Sequence, residues 1–233
     1  MARNSPTPSA TGKKLPVSSR SKAASKRVAP LLKPELEKLG LKIGDPIFIR
    51  IFKEESELEV FLQGENDTTY THFKTYKICK WSGKLGPKLK EGDGQSPEGF
   101  YFVTPGRMNP NSRFHLSFDL GYPNAYDEYH GRTGSFLMVH GACVSIGCYA
   151  MTDPLIEEIY TLAAAALTNN QKFFRVHSFP FRMTDARMNE EADKKAKWLE
   201  FWANLKEGYD YFEMMNQPPN VKLEAGKYVF GNP

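Results

Sequence analysis

Sixteen residues near the middle of the chain read Phe136-Leu-Met-Val-His-Gly-Ala-Cys-Val-Ser-Ile-Gly-Cys-Tyr-Ala-Met151. The apolar run at 136–139 predicts a buried strand, which His140-Gly141 follows directly. A Ser145-x-Gly147-Cys148 turn comes within eight residues of that histidine. After it, Asp153 is expected to cap a helix with Pro154 at the first helical position. A thiol, an imidazole and a glycine turn this close together are the parts of a thiol nucleophile site.

A thiol nucleophile needs a base and a group that orients the base. Cys148 is the expected nucleophile and His140 the expected base, with the Gly141 carbonyl accepting from the second ring nitrogen. Gly141, which has no side chain, is expected to allow a sharp turn. Backbone N–H groups at Gly147-Cys148 are expected to stabilise an oxyanion, and Ser145 is expected to form the turn or donate a hydrogen bond. The alternative is that both residues are buried for structural reasons, since cysteine is often a core residue.

The segments around this motif predict a mainly β domain. Three β-rich runs joined by short polar links, at 47–52, 58–62 and 70–79, predict an antiparallel meander. Further strands are expected at 100–103, 114–119 and 173–179, and irregular loops at 80–99 and 122–133.

Helices are expected after Pro154 and around Trp198, Phe201, Trp202 and Leu205, whose i, i+3, i+4, i+7 spacing places them on one face. A short hairpin around Ala225-Gly226 is expected to close the chain. The predicted fold class is therefore mainly β (α+β), a mixed or antiparallel β domain with two or three peripheral helices.

Charge divides the chain into two parts. Residues 1–30 contain seven Lys or Arg and no acid, whereas the other 203 residues carry a net charge of −3. A nucleic-acid partner is therefore not expected, because a basic footprint should lie on the folded domain itself. The expected organisation is a disordered basic tail at 1–33 and a single catalytic domain at 34–233, with a helical and hairpin extension from about 184. No run approaches 18 apolar residues, so no transmembrane segment is expected.

The three cysteines are Cys79, Cys143 and Cys148. No C-x-x-C pair occurs, and five scattered histidines do not supply metal-ligand spacing, so no metal and no cofactor are expected. Cys79 and Cys143 are expected to be buried thiols, with a disulfide between them as the alternative. Only Cys148 has a motif that supplies a basic neighbour.

With its motifs taken together, the chain resembles the L,D-transpeptidase (YkuD-type) family, and within it the YafK/DpaA branch of peptidoglycan–lipoprotein amidases. The resemblance spans roughly residues 45–230. Its segments are His140-Gly141, Val144-Ser-Ile-Gly-Cys-Tyr-Ala-Met151, Tyr76-Lys-Ile-Cys-Lys80, Ser82-Gly83, Leu85-Gly-Pro-Lys88, Ser96-Pro-Glu-Gly-Phe-Tyr101, Gly121-Tyr-Pro-Asn-Ala-Tyr-Asp127, Phe179-Pro-Phe-Arg-Met-Thr-Asp-Ala186 and Gly208-Tyr-Asp-Tyr-Phe-Glu213.

That resemblance implies an enzyme whose thiolate attacks a carbonyl of the peptidoglycan stem peptide at meso-diaminopimelate. In this branch the implied reaction is hydrolysis of the amide that joins an outer-membrane lipoprotein to the stem. The alternatives are an L,D-transpeptidase or L,D-carboxypeptidase that forms or trims linkages, and a wall-binding module without catalysis. The resemblance also implies a periplasmic monomer with a role in the cell wall and cell shape, although the chain shows no signal sequence.

Two departures from the family pattern concern the site. The loop between His140 and the cysteine is shorter than usual, and Ile146 occupies a slot that usually holds His or Lys. Counting the usual spacing back from Cys148 reaches His130, which Gly131 follows, so His130 is the reserve base. Substrate contacts are expected, within motif segments, from Lys80, Lys88, Tyr126, Tyr149 and Arg182.

Overall fold

The computed structural model describes residues 14–232. Within them it contains five α-helices, α1 Ser19–Glu37, α2 Ala125–Tyr129, α3 Asp153–Thr168, α4 Asp185–Asp193 and α5 Leu199–Met215. The strands are β1 Ile47–Phe52, β2 Glu57–Leu62, β3 Thr71–Lys77, β4 Gly99–Val103, β5 Met108–Asn109, β6 Ser117–Asp119, β7 Met138–His140, β8 Tyr149–Ala150, β9 Phe174–Phe179, β10 Asn220–Glu224 and β11 Lys227–Gly231. The predicted α+β class with a mainly β core is confirmed, but the helices outnumber the two or three expected.

A five-stranded sheet in the order β3-β2-β1-β9-β4 forms the centre of the molecule. The predicted meander is present, since β1 pairs antiparallel with β2 and β2 with β3. On the other side of β1, β9 pairs in parallel, with Ile49 opposite Val176. All six residues of β1 are buried, as expected for a central strand covered on both faces.

A second sheet in the order β5-β6-β7-β8 carries the motif at 136–151. The strand expected at 114–119 contains only Ser117–Asp119, because His115 has a φ of 67°, outside the β region. The strand expected at 136–139 instead begins at Met138. Phe136 has a φ of 55° and is 73% exposed, so its expected burial is wrong.

The N-terminal segment corrects the expectation of a disordered tail. Residues 19–33 belong to α1, which Ser18 caps, and residues 1–13 lie outside the described part of the chain. A stripe at i, i+4 spacing is buried in the main core with α3, consisting of Ala24, Val28, Leu32 and Leu36. The serine, proline and lysine content concealed this stripe, because Pro30 and Pro34 lie on the exposed face.

Two other local expectations need correction. The loop expected at 122–133 contains α2, where the side chain of Asn124 accepts from the Asp127 amide in a capping box. Thr152, not Asp153, is the N-cap residue of α3, and the Asp153 carboxylate accepts a hydrogen bond from the Ala142 amide at 2.8 Å. This carboxylate thereby fixes the loop that follows His140.

The C-terminal elements pack against the face of the central sheet that lies opposite α1 and α3. Three aromatic or aliphatic residues of the predicted stripe, Phe201, Trp202 and Leu205, are buried in an aromatic cluster. Trp198 lies at its edge, partly buried. The predicted hairpin is present, with Ala225 and Gly226 both at positive φ. The proposed domain boundaries at 34 and about 184 stay predictions.

Candidate active site

The strand pair β7–β8 brings the predicted nucleophile and base together. The strands run parallel, with Val139 opposite Tyr149 and His140 opposite Ala150. Side chains alternate between faces along a strand, so Cys148 projects from the same face as Ala150 and His140. The thiol and the imidazole therefore share one face of the pair, with Cys148 two residues along the strand direction from the level of His140.

The imidazole of His140 is buried and oriented. Its Nδ1 lies 2.6 Å from the Gly141 carbonyl oxygen, and its ring stacks on Phe114 at a centroid distance of 4.6 Å. A ring nitrogen that faces a carbonyl carries the proton, which leaves Nε2 as an acceptor. Burial lowers the pKa of His140, although the Gly141 carbonyl partly opposes this shift. The ring is therefore neutral near neutral pH.

The Cys148 thiol is 9% exposed and points to the Phe136 carbonyl, with Sγ and O 3.5 Å apart. Burial raises the pKa of the thiol, and the charge of Asp119 raises it further. The Met138 amide and Lys88 act in the opposite direction. A raised thiol pKa beside a neutral imidazole favours the uncharged pair at rest.

The carbonyl of Cys148 is held by hydroxyl groups. Ser145 Oγ donates to it at 2.8 Å, and Ser96 Oγ does so at 3.2 Å. Ser145 Oγ also accepts from the Gly147 amide at 3.1 Å and lies 2.7 Å from Ser82 Oγ. The Gly147 amide is thus used within the turn, so the expectation that it faces an oxyanion is wrong for this residue. The Cys148 amide makes no hydrogen bond to another residue within 14–232.

Glycine is required at two positions here for lack of space. A Cβ on Gly141 would lie 2.5 Å from Asp153 Oδ1, and its φ is not left-handed, so close approach rather than a sharp turn requires glycine. The left-handed residues are the next two, Ala142 and Cys143. Gly147 has a φ of 149°, and a Cβ there would meet Leu137 at 3.3 Å. Ile146, which directly precedes Gly147, is 90% exposed.

Cys79 and Cys143 form a disulfide, with a Cα–Cα distance of 5.4 Å. The expectation of two buried thiols is therefore wrong, and both residues are exposed. Spacing along the chain could not reveal the pairing, because it depends on the backbone contact that places the Cys79 amide 2.9 Å from the Ala150 carbonyl. Among the described residues Cys148 is the free cysteine.

The reserve base and most of the expected substrate contacts have other partners. His130 Nε2 lies 2.9 Å from the Gly226 carbonyl, against the C-terminal hairpin. Arg182 pairs with Glu57 and Glu59, each within 2.8 Å. Tyr149 is fully buried, with its hydroxyl 2.6 Å from the Pro97 carbonyl, and Tyr126 stacks on Tyr228.

The two lysines differ in exposure. The Lys80 side chain is exposed while its backbone pairs with Ala150, and Lys88 is 4% exposed and bound to Asp93. Of these two lysines, Lys88 is the one whose positive charge lowers the pKa of the Cys148 thiol.

Three residues around the site were not predicted from the motifs: Phe114, Ser82 and Ser96. Phe114 stacks on His140, Ser82 contacts Ser145, and Ser96 donates to the Cys148 carbonyl. Ser96 is positioned by a buried ion pair, since Lys53 Nζ donates to the Ser96 carbonyl at 3.1 Å and to Glu98 at 2.8 Å. No local signal in the sequence marked this pair, because Lys53 is followed directly by Glu54 and Glu55 and its partner Glu98 lies 45 residues away.

A cavity of about 520 Å³ is lined on one side by Phe136 and Met138, whose backbone groups contact the Cys148 thiol, although Cys148 itself does not line it. Arg107 and Asp119 form another side. Among residues 14–232 no cluster of three or more His, Cys, Asp or Glu side chains could hold a metal ion. In the same part of the chain, none of the helices has the length and apolarity that crossing a membrane requires.

Known proteins resemble the chain over most of its length. The model of the YkuD family, the L,D-transpeptidase catalytic domain, matches residues 48–176. Two relatives named "Putative L,D-transpeptidase YafK", from Escherichia coli K12 and O157:H7, are each 47% identical over 192 residues, which are 82% of this chain and 76% of the relative.

Two solved structures share lower similarity. The helical cell shape determining protein Pgp2 from Campylobacter jejuni has a TM-score of 0.46 at 19% identity, over 82% of this chain and 79% of that one. Bd1075 from Bdellovibrio bacteriovorus has a TM-score of 0.40 at 17% identity, over 77% of each chain. The family match and the YafK relatives decide the assignment: the chain belongs to the YkuD family of L,D-transpeptidase catalytic domains, enzymes that act on peptidoglycan.

Proposed function

We propose that the chain is a cysteine acyl-transfer enzyme that cleaves an amide of the peptidoglycan stem peptide, with Cys148 as nucleophile and His140 as base. The observation that carries this proposal is the shared face of β7–β8, where a free thiol lies beside an imidazole whose Nδ1 is bound to the Gly141 carbonyl. A base held in one tautomer next to a nucleophile is the arrangement that covalent catalysis needs.

The steps follow from the neutral pair. Nε2 of His140 takes the thiol proton as Sγ bonds to the substrate carbonyl carbon. The Cys148 amide, free of other partners within the described residues, donates to the oxyanion. The C–N bond then breaks, the amine leaves with the proton from His140, and a thioester remains. Water attacks the thioester, releasing a carboxylic acid and restoring the thiol.

The substrate is proposed to be the stem peptide at meso-diaminopimelate, and the bond cut is the amide to an outer-membrane lipoprotein. The sequence motifs shared with the YafK/DpaA branch support both points, and they imply a periplasmic location. The Ile146 side chain, which is 90% exposed and two residues from the thiol, offers an apolar contact for a protein leaving group.

The printed name of the YafK relatives favours a second candidate, an L,D-transpeptidase that transfers the acyl group to an amine. The two reactions share the thioester and differ in the acceptor. Mass spectrometry of the products with an added amine separates them, because only the transferase yields the mass of a new adduct.

The test of the proposed function is product analysis on purified peptidoglycan that carries covalently bound lipoprotein. Wild-type protein is expected to release the lipoprotein and Cys148→Ala to release none. Ser19→Ala, which changes an exposed residue of α1 that lines neither cavity, is the control and should retain activity. Full release by Cys148→Ala would show that the thiol is not the nucleophile.

A further inference from the structure

A second cavity, of about 400 Å³, lies between the central sheet and the C-terminal hairpin β10–β11. Its walls are rich in aromatic rings, contributed by Phe100, Phe102, Tyr126, Phe173 and Tyr228. The motif Gly121-Tyr-Pro-Asn-Ala-Tyr-Asp127 supplies part of the wall, although none of the proposed catalytic steps uses that motif. A concave site with aromatic walls is typical of ligand pockets.

Two arginines line this cavity without a carboxylate partner. Arg107 donates to the Phe102 carbonyl and lies over the Phe102 ring, and Arg175 donates to the Asn220 side chain and lies over Phe173. Within residues 14–232 neither guanidinium forms a salt bridge, and burial lowers the pKa of both. The charge of Asp119 opposes that shift at Arg107, whereas among the same residues no carboxylate acts on Arg175. Arg175 is therefore a partly desolvated cation without a counter-ion, which favours binding of an anion.

Other groups of the wall add to this preference. Lys222 contributes a third positive charge and Glu128 the negative one, so the lining is positive overall. His177 is 1% exposed and also lines the cavity, and neither of its ring nitrogens has a hydrogen-bond partner among the described residues. Gly121 makes room for Arg107, because a Cβ there would lie 1.9 Å from the guanidinium.

The aromatic cavity adjoins the 520 Å³ cavity of the candidate active site. Arg107, Gly121 and Pro123 line both cavities. The second of them is also lined by Phe136, whose carbonyl contacts the Cys148 thiol, so the aromatic cavity lies on the thiol's side of the molecule. None of residues 136–150 lines the aromatic cavity, so its chemistry is separate from that of the thiol and the imidazole.

We infer that the aromatic cavity binds a carboxylate carried on a ring-bearing or apolar body, with Arg107 and Arg175 as the anion-binding groups. This inference rests on the proposed function for the source of the ligand, which is then a second part of the peptidoglycan substrate. Two parts have that chemistry: the free carboxylates of the stem peptide, and the carboxylate of an amino sugar that carries no stem, because in a substituted sugar this group forms the amide to the stem. The aromatic walls stack on the ligand body, and the arginines fix its orientation relative to the thiol.

The test is calorimetric titration of Cys148→Ala protein, in which binding is measured without turnover. The probes are N-acetylmuramic acid, a stem tripeptide ending in meso-diaminopimelate, and N-acetylglucosamine as an uncharged sugar. At least one carboxylated probe is expected to bind, and the tighter of the two identifies the source. Adding Arg175→Gln is expected to weaken that binding about 10-fold or more, whereas Arg113→Gln, at an exposed arginine outside the cavity, should not.

Equal binding of the uncharged sugar, or binding unaffected by Arg175→Gln, would overturn the inference. If Arg175→Gln fails to fold, Lys222→Gln on the exposed strand β10 is used with the same probes, and a loss of at least severalfold is expected. The two proposals fail separately. Lipoprotein release by Cys148→Ala contradicts the nucleophile and leaves the binding result standing, whereas arginine-independent binding contradicts the cavity and leaves the nucleophile standing.

Discussion

The neighbouring strands β7 and β8 hold their reactive side chains by different means. His140 ends a strand that is paired on both sides, with Ser117 opposite it on β6 and Ala150 on β8, and it is almost fully buried. Cys148 precedes a strand of two residues, and its carbonyl is fixed by the hydroxyls of Ser145 and Ser96. The proposed base is thus positioned by packing and backbone pairing, and the proposed nucleophile by a loop that side-chain bonds and a disulfide hold in place.

This difference predicts where each half of the site is vulnerable. Removing the base function should stop the chemistry without loosening the fold, because the strand itself is held by its neighbours. Loosening the loop should instead reduce stability and misplace the thiol. Four measurements test this difference.

The largest effect is expected from His140→Gln. Without a base for the thiol, kcat should fall by about 10²–10⁴-fold, while the far-ultraviolet circular dichroism stays that of the wild type. His130→Gln is the matched comparison, because this histidine bonds to the Gly226 carbonyl and should be dispensable. A greater loss of kcat with His130→Gln than with His140→Gln would show that His130, and not His140, is the base.

The next effect is expected from breaking the disulfide. Cys79→Ser and Cys143→Ser each open a link between residues 64 positions apart, and each should lower the free energy of unfolding by about 2–4 kcal/mol. The double variant should lose no more than either single variant, since the same bond is absent in all three. Denaturant unfolding measures this, with Cys148→Ser as the control, and additive losses would mean that the two sulfurs act independently.

A smaller effect is expected from Ser145→Ala. The change removes a hydroxyl that donates to the Cys148 carbonyl and leaves the Gly147 amide without its partner, so about 1–3 kcal/mol should be lost. Part of this loss should appear as reduced kcat, because the turn also positions the thiol. Thermal unfolding and initial rates are compared with those of Ser19→Ala. A Ser145→Ala protein indistinguishable from that control would show that the turn neither stabilises the fold nor positions the thiol.

The smallest effect concerns pH. Burial lowers the pKa of His140, so the ring takes up a proton only below its ordinary value of about 6.5, and kcat/KM should persist as pH falls through that value and decline only at lower pH. Phe114→Ala uncovers the ring and should move the acid limb upward, toward the ordinary value. An acid limb at or above 6.5 in the wild type would contradict a buried neutral base.

Much of the architecture could be read from local patterns. The alternating and apolar runs predicted the meander, the strand at β9 and the hairpin, because strand periodicity and turn residues are local properties. The stripe of α5 was likewise visible. Helix α1 was missed because its burial depends on the surface of α3, which sequence composition does not describe. The apolar run predicts that Phe136 is buried, because an apolar residue at the start of a buried strand usually is. Its backbone instead adopts a φ of 55°, and the side chain is 73% exposed.

The candidate site likewise contains features that local sequence predicts and features that depend on distant segments. Local sequence is enough to propose the reactive pair and its orienting carbonyl, because His140, Gly141 and Cys148 are close along the chain and their chemistry follows from residue type. The groups that surround this pair lie far from it along the chain, so they could be located only in the folded molecule. The tertiary structure placed Ser96 on the Cys148 carbonyl and Phe114 on the imidazole, and joined Cys79 to Cys143. These contacts join segments that are 26 to 64 residues apart, and such long-range proximity is set by how the sheets pack rather than by any local pattern.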